Sequence, residues 1–106
     1  MATNRLNMKK QVSLAHASRL INHGPTVLVS TLHEGRRNLM AAAWSMPVEF
    51  DPPRLAIVID KSTLTREHIA ATGCLALSVP GRSLADATFA VGSISGRDVS
   101  ETSDKF

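Results

Sequence analysis

The chain has 106 residues, enough for one domain spanning 1–106 and too few for two. A hydrophobic share of 43% is that of a globular protein and argues against a disordered chain. One cysteine, Cys74, excludes an intrachain disulfide and fits a reducing cytoplasm, while a formal charge of +3 suits a phosphate-bearing small ligand better than nucleic acid.

Residues 1 to 12 are polar and read as a loosely held arm. Met1-Ala2-Thr3-Asn4-Arg5 lacks the apolar core of a signal peptide, and the longest apolar runs are too short to cross a bilayer, so no membrane partner is expected. Ser13 can cap a short helix over Leu14 to Ile21, with Leu14, Ala17, Leu20 and Ile21 as its buried stripe. Asn22-His23-Gly24-Pro25 stops it. Thr26 to Leu32 is a strand rich in β-branched residues. His33-Glu34-Gly35-Arg36-Arg37 is the turn of a hairpin, with Gly35 supplying a positive φ.

Asn38-Leu39-Met40-Ala41-Ala42-Ala43-Trp44 begins the returning strand, which runs to about Ser45. Its composition is unusual, because strands favour branched or aromatic side chains. Three methyl groups fill little core but let something broad and flat lie close to the backbone, and the indole can add an aromatic wall. A strand crossing a narrow packed layer explains the same residues. Pro47 and Asp51-Pro52-Pro53 bracket a loop. Arg54 to Asp60 is a further strand, expected to be buried on both faces through Leu55-Ala56-Ile57-Val58-Ile59. Leu64 to Thr72 reads as a helix ended by Gly73. Cys74 to Val79 is another strand, its thiol expected to be packed, and Ser83 can cap a helix from Leu84 towards Val91. Hairpin strands mixed with helix-connected strands give an α+β class, mainly β with short helices, in a mixed sheet or small barrel.

Lys61-Ser62-Thr63-Leu64-Thr65 joins a strand to a helix, and its hydroxyls and free N–H groups gather at the positive end of the helix dipole. That arrangement binds phosphate, and it is equally what plain helix capping requires. In Ser95-Gly96-Arg97-Asp98, Gly96 allows a tight bend, Arg97 offers a planar donor fork, and Asp98 can orient it. A surface turn with an exposed ion pair is the plainer reading.

Lys9-Lys10 and Arg36-Arg37 lack interleaved aromatics and read as solvated surface charge, so no nucleic-acid partner is expected. None of His16, His23, His33 and His68 stands at metal-ligand spacing from another or from Cys74, so each is expected at the surface or a helix end. Glu49 and Asp51 flank Phe50 and could serve as acids in a site, but the nearby prolines mark a turn, which is the plainer reading. No nucleophile elbow or dinucleotide fingerprint occurs, and no metal site or catalytic side chain is expected.

In their order, Gly24-Pro25, Val27-Leu28-Val29-Ser30-Thr31, the segment Asn38 to Trp44, Phe50-Asp51-Pro52-Pro53, Lys61 to Thr65 and Ser95-Gly96-Arg97-Asp98-Val99 resemble the flavin reductase-like family of FMN-binding split β-barrels, which includes the flavoredoxins. The resemblance covers about residue 12 to 106. It implies that Asn38 and Trp44 contact the isoalloxazine, with the backbone of Ala41, Ala42, Ala43 and Ser45 along its edge. It implies that Ser62, Thr63 and Thr65 lie near the ring edge and phosphate. Arg97 is similar to the family's arginine after Ser-Gly, and Lys105 to the lysine of its Asp-Lys-Phe ending. Ser100-Glu101-Thr102-Ser103 stands between Val99 and Asp104, where the family usually runs directly from one to the other.

Family members are longer, so the resemblance implies an N-terminal portion of that domain and an incomplete barrel. It further implies a homodimer with flavin at the interface, FMN or FAD as cofactor, and NADH or NADPH as electron donor. The expected function is a cytoplasmic oxidoreductase that passes electrons from NAD(P)H through bound flavin to an acceptor. A module that holds flavin or another phosphate-bearing cofactor without turnover, and a partly folded remnant, are the competing expectations.

Overall fold

Residues 27–32 alternate branched inward positions with others pointing outward, and this alternation organises the molecule. In the structure, a computed structural model that describes residues 11–100, strand β1 spans Val27–His33 and buries Val27, Val29 and Thr31 on one face. It is the central strand of an antiparallel sheet, flanked by β2 (Arg36–Ala42) and by β5 (Ala76–Ser78). Strands β3 (Ser45–Glu49) and β4 (Arg54–Ile57) pair as a separate antiparallel ribbon. Helices α1 (Leu64–Thr72) and α2 (Ala85–Ser93) and 3-10 helices at Leu14–Leu20 and Arg82–Leu84 complete the described residues. The expected mixture of antiparallel strands and short helices is therefore present, and the described strands close no barrel.

The hairpin register sets Val27 opposite Ala42, Val29 opposite Met40, Thr31 opposite Asn38 and His33 opposite Arg36. Opposed residues share a face, so this face grades from apolar to polar along the hairpin. Its apolar end is the core, where Ile21, Val27, Val29 and Ala42 are buried and Met40, Ile57, Ile59 and Leu77 pack against them. Val27 and Val29 are fully buried, and burial of such a side chain stabilises by roughly 1.5–3 kcal/mol. The polar end receives α1 and the segment that follows α2, through hydrogen bonds to Thr31, Arg36 and Asn38.

Local chemistry places several elements where the residues indicated. The hairpin turn has Gly35 at φ 76°. Helix α1 has the expected bounds, is capped by Thr63 Oγ1 accepting from the Arg66 amide at 3.1 Å, and ends at Gly73. Ser13 caps the first 3-10 helix. That helix buries Ile21 at its end but leaves Leu14 and Leu20 exposed, so the expected stripe is only partly formed.

Other elements differ. The strand expected from Asn38 to Ser45 divides, because the chain leaves one sheet after Ala42 and enters the ribbon at Ser45. Pro47 lies within β3, where a loop was expected. A two-stranded ribbon has free edges that tolerate a residue without an N–H, and the register shifts between Pro47 and Glu49. The run Leu55 to Ile59 is not buried on both faces. One face of the ribbon packs on the core through Ile57 and Ile59, while no layer among the described residues covers the other, so Val58 is 61% exposed, and Leu55, near the start of the strand, is 43% exposed. Strand β5 starts only at Ala76, which leaves Cys74 exposed instead of packed. Helix α2 starts after Leu84 without a side-chain cap, so Ser83 does not play that part.

Candidate functional site

Three parts of the chain converge at the polar end of the hairpin face. They are β2, the junction between β4 and α1, and the segment after α2. Asn38, Ala41, Ser62, Thr63 and Thr65 line a cavity of about 310 Å³ there, closed on one side by residues 91–96. Asn38 is 4% exposed and Thr65 1%, and Asn38 Nδ2 donates to Thr65 Oγ1 at 2.8 Å. The backbone at Gly96 rests on the Asn38 amide. A Cβ there would collide with Asn38 Oδ1 and approach Leu64 Cδ2 to 3.2 Å, so this close approach requires glycine.

The junction 60–65 is tied by its own side chains. Asp60 Oδ1 accepts from Ser62 Oγ at 2.7 Å and from the Ser62 amide at 2.8 Å. These bonds, the hydroxyl's first, hold the Asp60 carboxyl below its ordinary range. Thr63 Oγ1 donates to the Asp60 carbonyl at 2.8 Å while it caps α1. Arg97 reaches the same junction from the other side. Its Nε donates to the Ser62 carbonyl at 2.8 Å and Nη2 to the Thr63 carbonyl at 3.4 Å. Its acidic neighbour is Glu67, with Nη1 to Oε2 at 3.7 Å. Asp98, expected to orient Arg97, instead closes a turn through its amide to the Ser95 carbonyl at 3.0 Å.

Two residues of this region stand outside the expected site. Arg36 is not solvated surface charge, since its Nη2 donates to the Gly96 carbonyl at 2.6 Å and to the Val99 carbonyl at 2.7 Å. His68 is not at the surface. It is 2% exposed, with Nδ1 2.9 Å from Thr31 Oγ1 and its ring edge-on to His33 at 5.8 Å between centroids. Burial, followed by the charges of His33 and Arg36, holds its pKa below the ordinary histidine value. The signal for His68 was present in the sequence: Leu64, Thr65 and His68 fall on one helical face. Arg36 had no such signal, because its partners lie 60 and 63 residues further along the chain.

The alanine run reaches the cavity only through Ala41. Ala42 belongs to the core, and Ala43 and Trp44 are exposed, Trp44 by 75%. Ser45 Oγ is buried and has no hydrogen-bond partner among the described residues. The ribbon continues this surface. Met46 opposes Ala56, and the Val58 amide donates to the Trp44 carbonyl at 2.9 Å, so strand alternation puts Trp44, Met46, Ala56 and Val58 on one exposed face. Lys105 lies outside the described residues. Glu49 is paired with Arg54 at 3.1 Å. Among the described residues, no three potential metal ligands cluster, and no helix is long and apolar enough to cross a membrane.

The cavity thus offers an amide, hydroxyls and helix-start N–H groups, with the Arg97 guanidinium on the other side of the same junction, which is chemistry for holding a polar or anionic ligand. Known proteins share the sequence and the fold that produce it. The flavin reductase like domain matches residues 18–106. "Uncharacterized protein YddH" of Escherichia coli (strain K12) is 59% identical over 97 residues, covering 90% of this chain and 49% of YddH. The crystal structure of an FMN-binding domain of a flavin reductases-like enzyme from Shewanella baltica superposes with a TM-score of 0.81 at 47% identity, covering 89% of this chain and 48% of that one. Flavoredoxin of Desulfovibrio vulgaris (Miyazaki F) gives a TM-score of 0.71 at 29% identity, covering 92% and 52%. The chain therefore spans about half the length of these relatives, and it belongs to the flavin reductase-like domain family.

Proposed function

We propose that this chain is a single domain that binds FMN and serves a flavin reductase-like oxidoreductase, passing electrons from NADH or NADPH to an acceptor. The observation that carries this reading is the cavity in which Asn38, Ser62, Thr63 and Thr65 meet the Ser95-Gly96 bend, residues brought together from distant parts of the chain. The donor set fits the cofactor. Ser62, Thr63, Thr65 and Arg97 suit a phosphate, and Lys105 would add charge. Asn38, the backbone from Ala41 to Ser45 and the exposed Trp44 suit the ring system. The unpartnered Ser45 hydroxyl is consistent with a polar ligand edge nearby.

The chemistry that FMN supplies when bound is acceptance of hydride from a nicotinamide and its onward delivery. The chain's own residues bind and orient, and none of them needs to act as base or nucleophile. FAD would present the same ring and first phosphate. The exposed face of Trp44, Met46 and Val58 supports a homodimer in which a second copy covers it. A reducing cytoplasm suits the exposed Cys74 thiol.

The test is titration with FMN, FAD and riboflavin. The readouts are flavin anisotropy and the emission of Trp44, the chain's one tryptophan. Saturable FMN binding with quenching of Trp44 is expected, and no change up to about 1 mM, a limit near 4 kcal/mol of binding, would remove the reading. Oxidation of NADH or NADPH by the FMN-loaded protein then separates an oxidoreductase from a module that only holds flavin.

A further inference from the structure

We propose that Glu67 and Asp60 are internal competitors for the ligand's phosphate, and that they set how strongly the site prefers a phosphorylated flavin over an unphosphorylated one. The inference rests on the reading of this cavity as a flavin site. It starts from which groups already use the donors. The Ser62 amide and hydroxyl both donate to Asp60 Oδ1, at 2.8 and 2.7 Å. The Arg97 guanidinium has Glu67 Oε2 at 3.7 Å. Thus two carboxylates of the chain stand on the donors best suited to a phosphate.

The Ser62 bonds favour the ionised form of Asp60, and its carboxyl lies below the ordinary range. Glu67 sits one turn into α1, beside the helix's positive end, so it also neutralises the dipole that a phosphate would use. A phosphate arriving at Arg97 and Ser62 must either displace these carboxylates from their donors or accept two like charges nearby. Riboflavin carries no phosphate and meets neither cost. The pair Glu67–Arg97 is half-exposed, so a substrate anion can reach it, and its strength is that of an exposed ion pair.

Neutral isosteres test this. Glu67→Gln removes charge and keeps shape, and Asp60→Asn keeps the Oδ1 acceptor for the Ser62 turn. Glu49→Gln, on the ribbon and paired with Arg54, controls for total charge. The ratio of riboflavin Kd to FMN Kd is measured for each protein at fixed salt, with melting temperature alongside. Each of the first two variants should raise that ratio by about two- to fivefold, the size expected for exposed charges, and Glu49→Gln should leave it unchanged. An unchanged or lower ratio in both variants, in a wild type that binds FMN, overturns the competition alone. An equal rise in Glu49→Gln also overturns it. No saturable binding of either flavin to the wild type overturns the flavin reading, and the competition with it.

Discussion

The side-chain amide of Asn38 donates to Thr65 Oγ1 across 2.8 Å between two residues that are almost wholly buried. It links β2 to the first turn of α1 at the floor of the cavity. Thr65→Val keeps the shape of the side chain and leaves the Asn38 N–H without its acceptor. An unsatisfied buried donor costs about 1–3 kcal/mol. Denaturant unfolding of the ligand-free protein should show that loss, and Thr65→Ser should recover most of it. Equal stability of wild type and Thr65→Val would mean that the bond contributes nothing to the fold.

Gly96 is the second half of the same contact. Its missing side chain is what lets the Ser95–Val99 segment lie on Asn38. Gly96→Ala should force that segment away from β2 and destabilise by about 1–3 kcal/mol, as overpacking of a tight contact does. Gly81→Ala, where a Cβ would meet open space, should leave stability nearly unchanged. Thermal unfolding of the two variants side by side checks this.

How much of this was readable beforehand follows from how far each feature reaches along the chain. The hairpin around Gly35 and helix α1 between Thr63 and Gly73 are specified by neighbours in sequence, and both stand where turn and cap chemistry put them. The segments that build the cavity were also legible, because Asn38, Ser62, Thr63 and Thr65 carry groups that bind ligands or cap helices. The side-chain roles were not, since they depend on long-range pairing. Arg36 looked like half of a surface pair until residues 96–99 folded over it. The run Leu55 to Ile59 looked like a strand buried on both faces, but that requires a packed layer on each face, and among the described residues only the side of Ile57 and Ile59 meets the core. The split at Ala43–Trp44 was hidden for a similar reason: a change of sheet leaves no mark in local apolar content.

Arg36 yields a prediction of its own. One guanidinium holds two backbone carbonyls of the loop that carries Arg97. Hydrogen bonds to a charged donor are worth roughly 1.5–3 kcal/mol, so Arg36→Gln should loosen residues 95–99 locally. Amide hydrogen exchange at Asp98, whose N–H closes the turn onto Ser95, should speed up by about tenfold or more, since each 1.4 kcal/mol is tenfold in a local opening constant. The amides of β1 should exchange as before. Uniform acceleration across the sheet would instead make Arg36 a determinant of global stability.

The last prediction concerns pH. His68 is buried against Thr31, with His33 and Arg36 facing it from the hairpin and Glu67 beside it on α1. Burial and the neighbouring positive charges, which outweigh the opposing Glu67, lower its folded-state pKa below the unfolded value near 6.5. The unfolded chain therefore binds more protons in the interval between those two values. By linkage, stability rises with pH across that interval. The contribution of neutral His68 is fully present above about pH 6.5 and is lost as pH falls through the folded pKa. Denaturant midpoints should fall as pH drops below about 6.5. His68→Gln, which cannot take a proton, should have a lower midpoint at neutral pH and a flatter dependence on pH over the same range. An unaltered slope in His68→Gln would assign the acid sensitivity to other groups.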